Sequence, residues 1–177
     1  MIDFEVFFKI TYGLYIVSAG DKKSKNGFIS NSVFQVTSEP PQFAACCNKD
    51  NFTTGLILEH KFFSISVLNK ETSKEIIGSF GYKSGRNINK FDDVNFRIGT
   101  TGTPVILSNC VAFIECEVAE IFDAGTHLII IGKAVNSEIL DDKSEVLTYE
   151  YYRKVKKGIA PKNAPTYINR KKLTKPK

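Results

Sequence analysis

The chain has 177 residues, 42% of them hydrophobic and 12% aromatic, with a formal net charge of +5. That composition fits one globular domain with a proper core and excludes a disordered chain. No apolar run approaches the ~20 residues of a membrane span, and the opening MIDFE lacks the basic segment and long apolar stretch of a secretory signal, so a cytoplasmic protein without a membrane partner is expected.

Residues 4–11 (FEVFFKIT) fit either a strand or a short amphipathic turn. The β-branched and aromatic stretch 12–19 reads as a strand ending at Gly20-Asp21, with a Lys/Ser-rich turn over 21–26. A polar strand from Gly27 to Ser38 returns to complete a hairpin, and Pro40 and Pro41 end it. A buried strand over 43–47 leads into the polar loop Asn48-Lys49-Asp50-Asn51-Phe52-Thr53-Thr54. A short helix (54–60), an alternating strand (62–68) and a second helix (71–80, stopped by Gly81) follow.

The turn-rich stretch 82–93 reads as a surface loop. A second β region starts at 104–107 and continues as a strand over 111–122, with Glu115, Glu117 and Glu120 expected to face outward. Asp123-Ala124-Gly125 turns the chain, and 126–135 returns. Many short strands without regularly alternating βα units favour an antiparallel barrel with small helical insertions over a parallel doubly wound sheet.

The common catalytic motifs are missing: there is no GxSxG, Walker loop, HExxH or GxGxxG. With two histidines, His60 and His127, and no CxxC, no metal site is expected. Cys46, Cys47, Cys110 and Cys116 read as free thiols acting mostly as small buried apolar groups. The loop 48–54 has two readings. Asn51 or Thr53 caps the following helix, or the loop and the positive end of the helix dipole hold an anion. His60 sits unremarkably at a helix end, whereas His127 opens an apolar strand at a barrel rim, where ligand contacts collect. The stretch from Arg153 to Lys177 carries ten cations and no acid, which leaves the body slightly acidic. No nucleic-acid recognition pattern accompanies it, so a solvated terminus is expected.

Taken in order, the segments YGLYIVSA (12–19), NGFISNSVFQVTSEPP (26–41), CNKDNFTTGLI (47–57), FFSISVL (62–68), FGYKSGRNINKF (80–91), DAGTHLIIIGKAV (123–135) and LTYEYYRKVKKGIAPKNAPTY (147–167) resemble the flavin reductase family. The resemblance covers nearly the whole chain and lies nearest to flavoredoxin and the flavin domain of high-molecular-weight rubredoxins. It implies a mainly β, antiparallel, Greek-key split β-barrel with short helical insertions over residues 1–158. Residues 159–177 would form a basic tail partly ordered on the barrel or on a dimer partner.

The resemblance also implies FMN as cofactor, with NADH or NADPH as co-substrate. Asn31, Ser32 and Val33 would face the ring, Asn48, Lys49, Asn51, Thr53 and Thr54 the phosphate and ribityl chain, and Cys47 would be a further cofactor-binding residue. Ser84, Gly85 and Lys90 would lie near the flavin edge, and His127 would position the nicotinamide. A homodimer is implied, and the apolar faces of FFKI and FFSISVL, expected to be exposed, are compatible with one. High-molecular-weight rubredoxins continue into paired CxxC motifs, whereas this chain has Tyr167-Ile168 and a Lys-rich tail, so electrons are expected to leave to a separate diffusing or protein acceptor. The alternative is an FMN-binding electron carrier without significant NAD(P)H oxidation of its own.

Overall fold

The computed structural model describes residues 2–173. The chain opens with a 3-10 helix, Phe4–Lys9, so the turn reading of this segment holds; the Asp3 carboxylate accepts the Glu5 N–H at 3.0 Å. Strands β1 (Tyr15–Gly20) and β2 (Lys25–Ser30) form the expected hairpin. Gly20, at φ +105°, supplies a left-handed step that side-chain-bearing residues rarely adopt. Asp21 Oδ1 then accepts the N–H groups of Lys23 and Ser24, each at 2.7 Å.

The single strand expected over 27–38 is in fact two. It breaks at Asn31-Ser32, where the Ser32 N–H donates to Ser30 Oγ (3.3 Å) and Ser32 Oγ donates to Asn31 Oδ1 (3.2 Å). Short polar side chains offer the backbone local partners in competition with a ladder. Strand β3 (Val33–Ser38) then pairs with β4 (Pro41–Asn48), so Pro41 opens a strand as well as following one.

Helix α1 (Phe52–His60), strand β5 (Phe62–Leu68) and helix α2 (Lys74–Tyr82) follow. Helix α2 starts later than expected because Asn69 holds Glu71 and Thr72 in a turn, and it runs through Gly81 instead of stopping there. A small hairpin, β6 (Phe96–Ile98) and β7 (Pro104–Ile106), precedes the long strands β8 (Cys110–Asp123) and β9 (His127–Ile139) and helix α3 (Tyr149–Lys154). Among the described residues no helix is long and apolar enough to cross a membrane.

The main sheet runs β2-β1-β5-β8-β9-β4-β3, antiparallel throughout. Its two outer strands are consecutive in the chain, and the Cys46 N–H donates to the Ser32 carbonyl at 3.0 Å. The sheet therefore curls into a barrel whose seam lies between β2 and β3. Val17, Ala19, Ala45, Cys47, Phe63, Ile65, Cys116 and Ile130 fill the interior with Leu56 and Ile57 of α1. Alternate residues such as Leu14, Ile16 and Leu68 face outward under α2 and α3. Strand β5 is central and largely buried, so its FFSISVL face is not the exposed surface expected from the sequence.

Glu115 is a second correction: it is 0% exposed. The β6–β7 hairpin covers its face of β8, and the carboxylate accepts from Thr100 N and Oγ1, Thr101 N and Oγ1, and Asn136 Nδ2 at 2.6–3.1 Å. A Cβ on Gly99 would sit 2.2 Å from Glu115 Oε1, so the covering loop needs a glycine there. Burial pushes this carboxyl up, but hydrogen bonds from Thr101, Asn136 and Thr100 outweigh it and hold the group below the usual carboxylate range. Glu117 and Glu120 do face solvent.

Replacing Glu115 by Ala is expected to remove about 3 kcal/mol of unfolding free energy in urea, the cost of orphaning a buried network. Because the folded-state pKa is depressed, the carboxylate's contribution is complete at neutral pH. It is lost as pH falls below the ordinary carboxylate range and through the lower folded value. Glu115→Gln should therefore show a flatter acid limb; an unchanged one would contradict this account.

Candidate functional site

The seam opens into a cleft of about 250 Å3. One wall is the end of β2 (Phe28 to Asn31), the end of β4 (Cys46, Asn48) and the start of α1 (Asn51, Phe52). The facing wall is the end of α2 and the loop after it, from Phe80 to Arg86 with Lys90. Pro161, Asn163, Ala164 and Pro165, from the segment after α3, line it from a third side.

The two main walls are tied through Asn26, which is 2% exposed. Its Nδ2 donates to Thr53 Oγ1 at 3.0 Å, and Gly85 packs so closely on its amide that an added Cβ would lie 2.3 Å away.

Of the residues expected at the site, Asn31, Asn48, Asn51, Ser84, Gly85 and Lys90 line this cleft. The others do not, each for a visible reason. Val33 and the Cys47 thiol belong to the barrel core, and Cys46, one position earlier on the pleat, faces the cleft instead. Ser32 is held at the bend by Ser30 and Asn31. Lys49 is exposed and paired with Asp123 at 2.6 Å. Thr53 accepts from Asn26, and Thr54 Oγ1 donates to the Asn48 carbonyl at 2.8 Å.

His127 is turned toward the third side. Its Nε2 lies 3.0 Å from the Asn163 carbonyl and its Nδ1 2.8 Å from Thr126 Oγ1. Because a carbonyl oxygen only accepts, Nε2 carries the proton and Nδ1 accepts from the threonine.

The loop 48–54 spends most of its donors on itself. Asn51 Oδ1 caps α1 by accepting the Thr53 N–H at 3.1 Å, so the capping reading of the sequence is correct. The N–H groups of Lys49, Asp50, Asn51 and Thr54 go to Thr126 O, Asn48 Oδ1, Asn48 O and Asn51 O.

Among the described residues the positive charge of the cleft comes from the facing loop: Lys83, Arg86 and Lys90, against Asp50 alone. Arg86, which the sequence reading passed over although it lies within FGYKSGR, stacks 5.4 Å from the Phe52 ring centroid. Its Nη1 donates to the Asp50 carbonyl at 3.2 Å. Lys90 was expected on a surface loop but is 5% exposed. It donates to the Gly27 carbonyl (2.9 Å) and to the Phe80 carbonyl (3.3 Å) at the C-terminal end of α2. Burial without a carboxylate lowers its pKa to about 8.

Comparison with known proteins places this geometry among relatives. The description "Flavin reductase like domain" matches residues 7–159. The chain is 45% identical over 170 residues to a ferric-chelate reductase (NAD(P)H) of Archaeoglobus fulgidus, covering 96% of this chain and 100% of that one. It is 40% identical over 166 residues to a high molecular weight rubredoxin of Moorella thermoacetica, covering 94% of this chain and 72% of that one. The crystal structure of flavoredoxin from Methanosarcina acetivorans superposes with a TM-score of 0.68 at 22% identity, covering 75% of this chain and 70% of that one.

The thiols give a direct check of the cleft. Burial raises the pKa of all four, that of Cys110 and Cys116 to about 12, and only Cys46 is less than fully buried. A maleimide is expected to label one thiol, Cys46, in the folded protein and all four after unfolding. Labelling of Cys47 ahead of Cys46 would show that β4 presents the opposite face.

Proposed function

This chain belongs to the flavin reductase family, and we propose that it is an FMN-dependent reductase passing a hydride from NADH or NADPH to flavin and electrons on to a separate acceptor. The carrying observation is the composition of the cleft. Aromatic rings (Phe28, Phe52, Phe80, Tyr82) stand beside amides at strand and helix ends (Asn31, Asn48, Asn51), with three cations opposite. That set suits a planar ring with a hydrogen-bonding edge and an anionic tail. A bound flavin supplies the redox chemistry itself, taking the hydride and releasing electrons, which is why neither a triad nor a metal is required.

The chain's own residues bind and orient. Arg86 offers a planar fork of donors suited to a phosphate, and its stacking on Phe52 holds it in place beforehand. Asn31 and the backbone at the end of β2 present donors and acceptors to the ring edge. Lys90 contributes a buried positive charge that favours negative charge on the bound group. The name of the Archaeoglobus relative supports a nicotinamide donor. We assign a homodimer contact to the exposed apolar side chains Phe34 and Val36 of β3 and Ile121 and Phe122 at the β8–β9 tip. Sedimentation at the 19.8 kDa of a single chain would remove that assignment.

Protein loaded with FMN and mixed with NADH or NADPH without oxygen is expected to lose its yellow absorbance rapidly. Colour that persists with both donors would overturn the reductase in favour of the electron carrier. Arg86→Gln is expected to weaken FMN binding about 10- to 100-fold, the value of a charge-assisted hydrogen bond, while changing riboflavin binding little. Equal losses for both ligands would move the phosphate elsewhere.

A further inference from the structure

Residues Ile159 to Thr166 lie outside every helix and strand, yet they are fastened at three places to the rim of the cleft. The Ile159 carbonyl accepts the hydroxyls of Tyr82 and Tyr152, the latter at 3.3 Å. The Asn163 carbonyl accepts from Asn48 Nδ2 at 3.3 Å and His127 Nε2 at 3.0 Å. Thr166 Oγ1 accepts from Asn31 Nδ2 at 2.8 Å. Asn31, Asn48 and His127 come from the β2–β3 bend, the end of β4 and the start of β9, so one segment bridges three separate parts of the barrel mouth.

Its attachment differs in kind from that of the strands. The other backbone bonds within it are local turns, Ala164 N to Pro161 O and, at its end, Tyr167 N to Ala164 O. Each side-chain bond contributes about 0.5–1.5 kcal/mol net, so release of the segment costs far less than opening the sheet. Just before it, Lys157 has φ +57° and is followed by Gly158, which suits a pivot between α3 and the segment. Pro161 and Pro165 stiffen what lies beyond the pivot. The cleft it lines, about 250 Å3, falls below the roughly 300–1,000 Å3 usual for ligand sites. The matched flavin reductase domain ends at residue 159, where the segment begins.

We propose that Ile159–Thr166 is a strap that gates the cleft, slowing both entry and escape of flavin, so that flavin is retained between turnovers as a prosthetic group. This rests on the flavin reading above. Admission of the ring needs the strap to lift, which breaks the bonds to Asn31, Asn48 and His127 together. Their re-formation behind the ligand opposes its loss. His127 is a latch in the closed state, and its ring is released toward the cleft only when Asn163 withdraws.

The test is stopped-flow fluorescence of FMN binding to the full chain, to a chain ending at Gly158, and to full-length Thr166→Val. FMN dissociation is expected to rise at least tenfold in the shortened chain, with faster association as well. Thr166→Val should raise dissociation about threefold to tenfold, the equivalent of one hydrogen bond. Rates within twofold of the full chain in both variants, with FMN still binding, overturn the strap and leave the flavin reading intact. Absence of FMN binding by the full chain overturns the flavin reading and the strap with it. Should the shortened chain not fold, trypsin cleavage after the exposed Lys162 of the full chain decides alongside Thr166→Val. Cleavage slowed fivefold or more by FMN supports the strap, and equal rates with and without FMN overturn it.

Discussion

The geometry of the cleft follows from how the barrel closes. Strands β2 and β3 are the two outer strands of one sheet, yet only Asn31 and Ser32 separate them in the chain. So short a link forces the sheet to curl until its ends meet, and it leaves the outer edge of β2 without a ladder partner. Unpaired backbone groups at a covered edge are costly, so other groups must finish them. Lys90 takes the Gly27 carbonyl on that edge, and at the bend beside it the Asn31 side-chain amide donates to Thr166 Oγ1. Side chains complete the seam where a strand would otherwise lie, and they leave between them the space that a strand would have filled.

Two buried charges show how differently the fold treats its ionisable groups. Glu115 is met by four donors from a loop shaped around it and a fifth from Asn136 of β9, and its carboxyl is held below its usual range. Nothing further is required of its surroundings, and its role is to pin the β6–β7 hairpin to the barrel. Lys90 is nearly as buried but has two carbonyl acceptors and no carboxylate, and its pKa falls to about 8. A cation short of compensation on the wall of a cleft makes that wall attractive to an anionic ligand. Such a ligand, once bound, would raise the lysine's pKa again, drawing a proton in with it at mildly alkaline pH.

The barrel was legible because its strands alternate and its turns carry Gly, Asp and Pro at interpretable positions. The two long strands and the β1–β2 hairpin stand close to where alternation put them. The break at Asn31-Ser32 was less legible, since a bend made by side chains bonding their own backbone leaves the strand pattern on either side intact. Glu115 misled for a related reason: alternation tells which face a residue takes, but not whether a distant hairpin covers that face. At the cleft, six of the residues expected from the sequence line the walls and Asn51 caps α1, whereas the lining cations stand on the facing loop and Lys49 does not line it. Lys49 is claimed by Asp123, which lies 74 residues away, and Arg86 reaches Phe52 from 34 positions away. Pairings at such separations leave no periodic trace in the chain.

The walls of the cleft therefore have unequal duties. The wall formed by β2, β4 and the start of α1 is fixed by strand ladders and by a loop whose N–H groups are largely committed to internal acceptors. It supplies shape and needs no reorganisation when a ligand arrives, but it has few donors to offer. Recognition of an anion then falls to long side chains on the facing loop, and ordering a free lysine or arginine costs up to about 2 kcal/mol of rotamer entropy. Arg86 and Lys90 avoid most of that cost because the protein already holds them, one on Phe52 and the Asp50 carbonyl, the other on the Gly27 and Phe80 carbonyls. The bond by which Lys90 finishes the seam thus also holds that cation on its wall before any ligand enters. A closure problem in the sheet and an anion-binding wall are in this way two consequences of one arrangement of side chains.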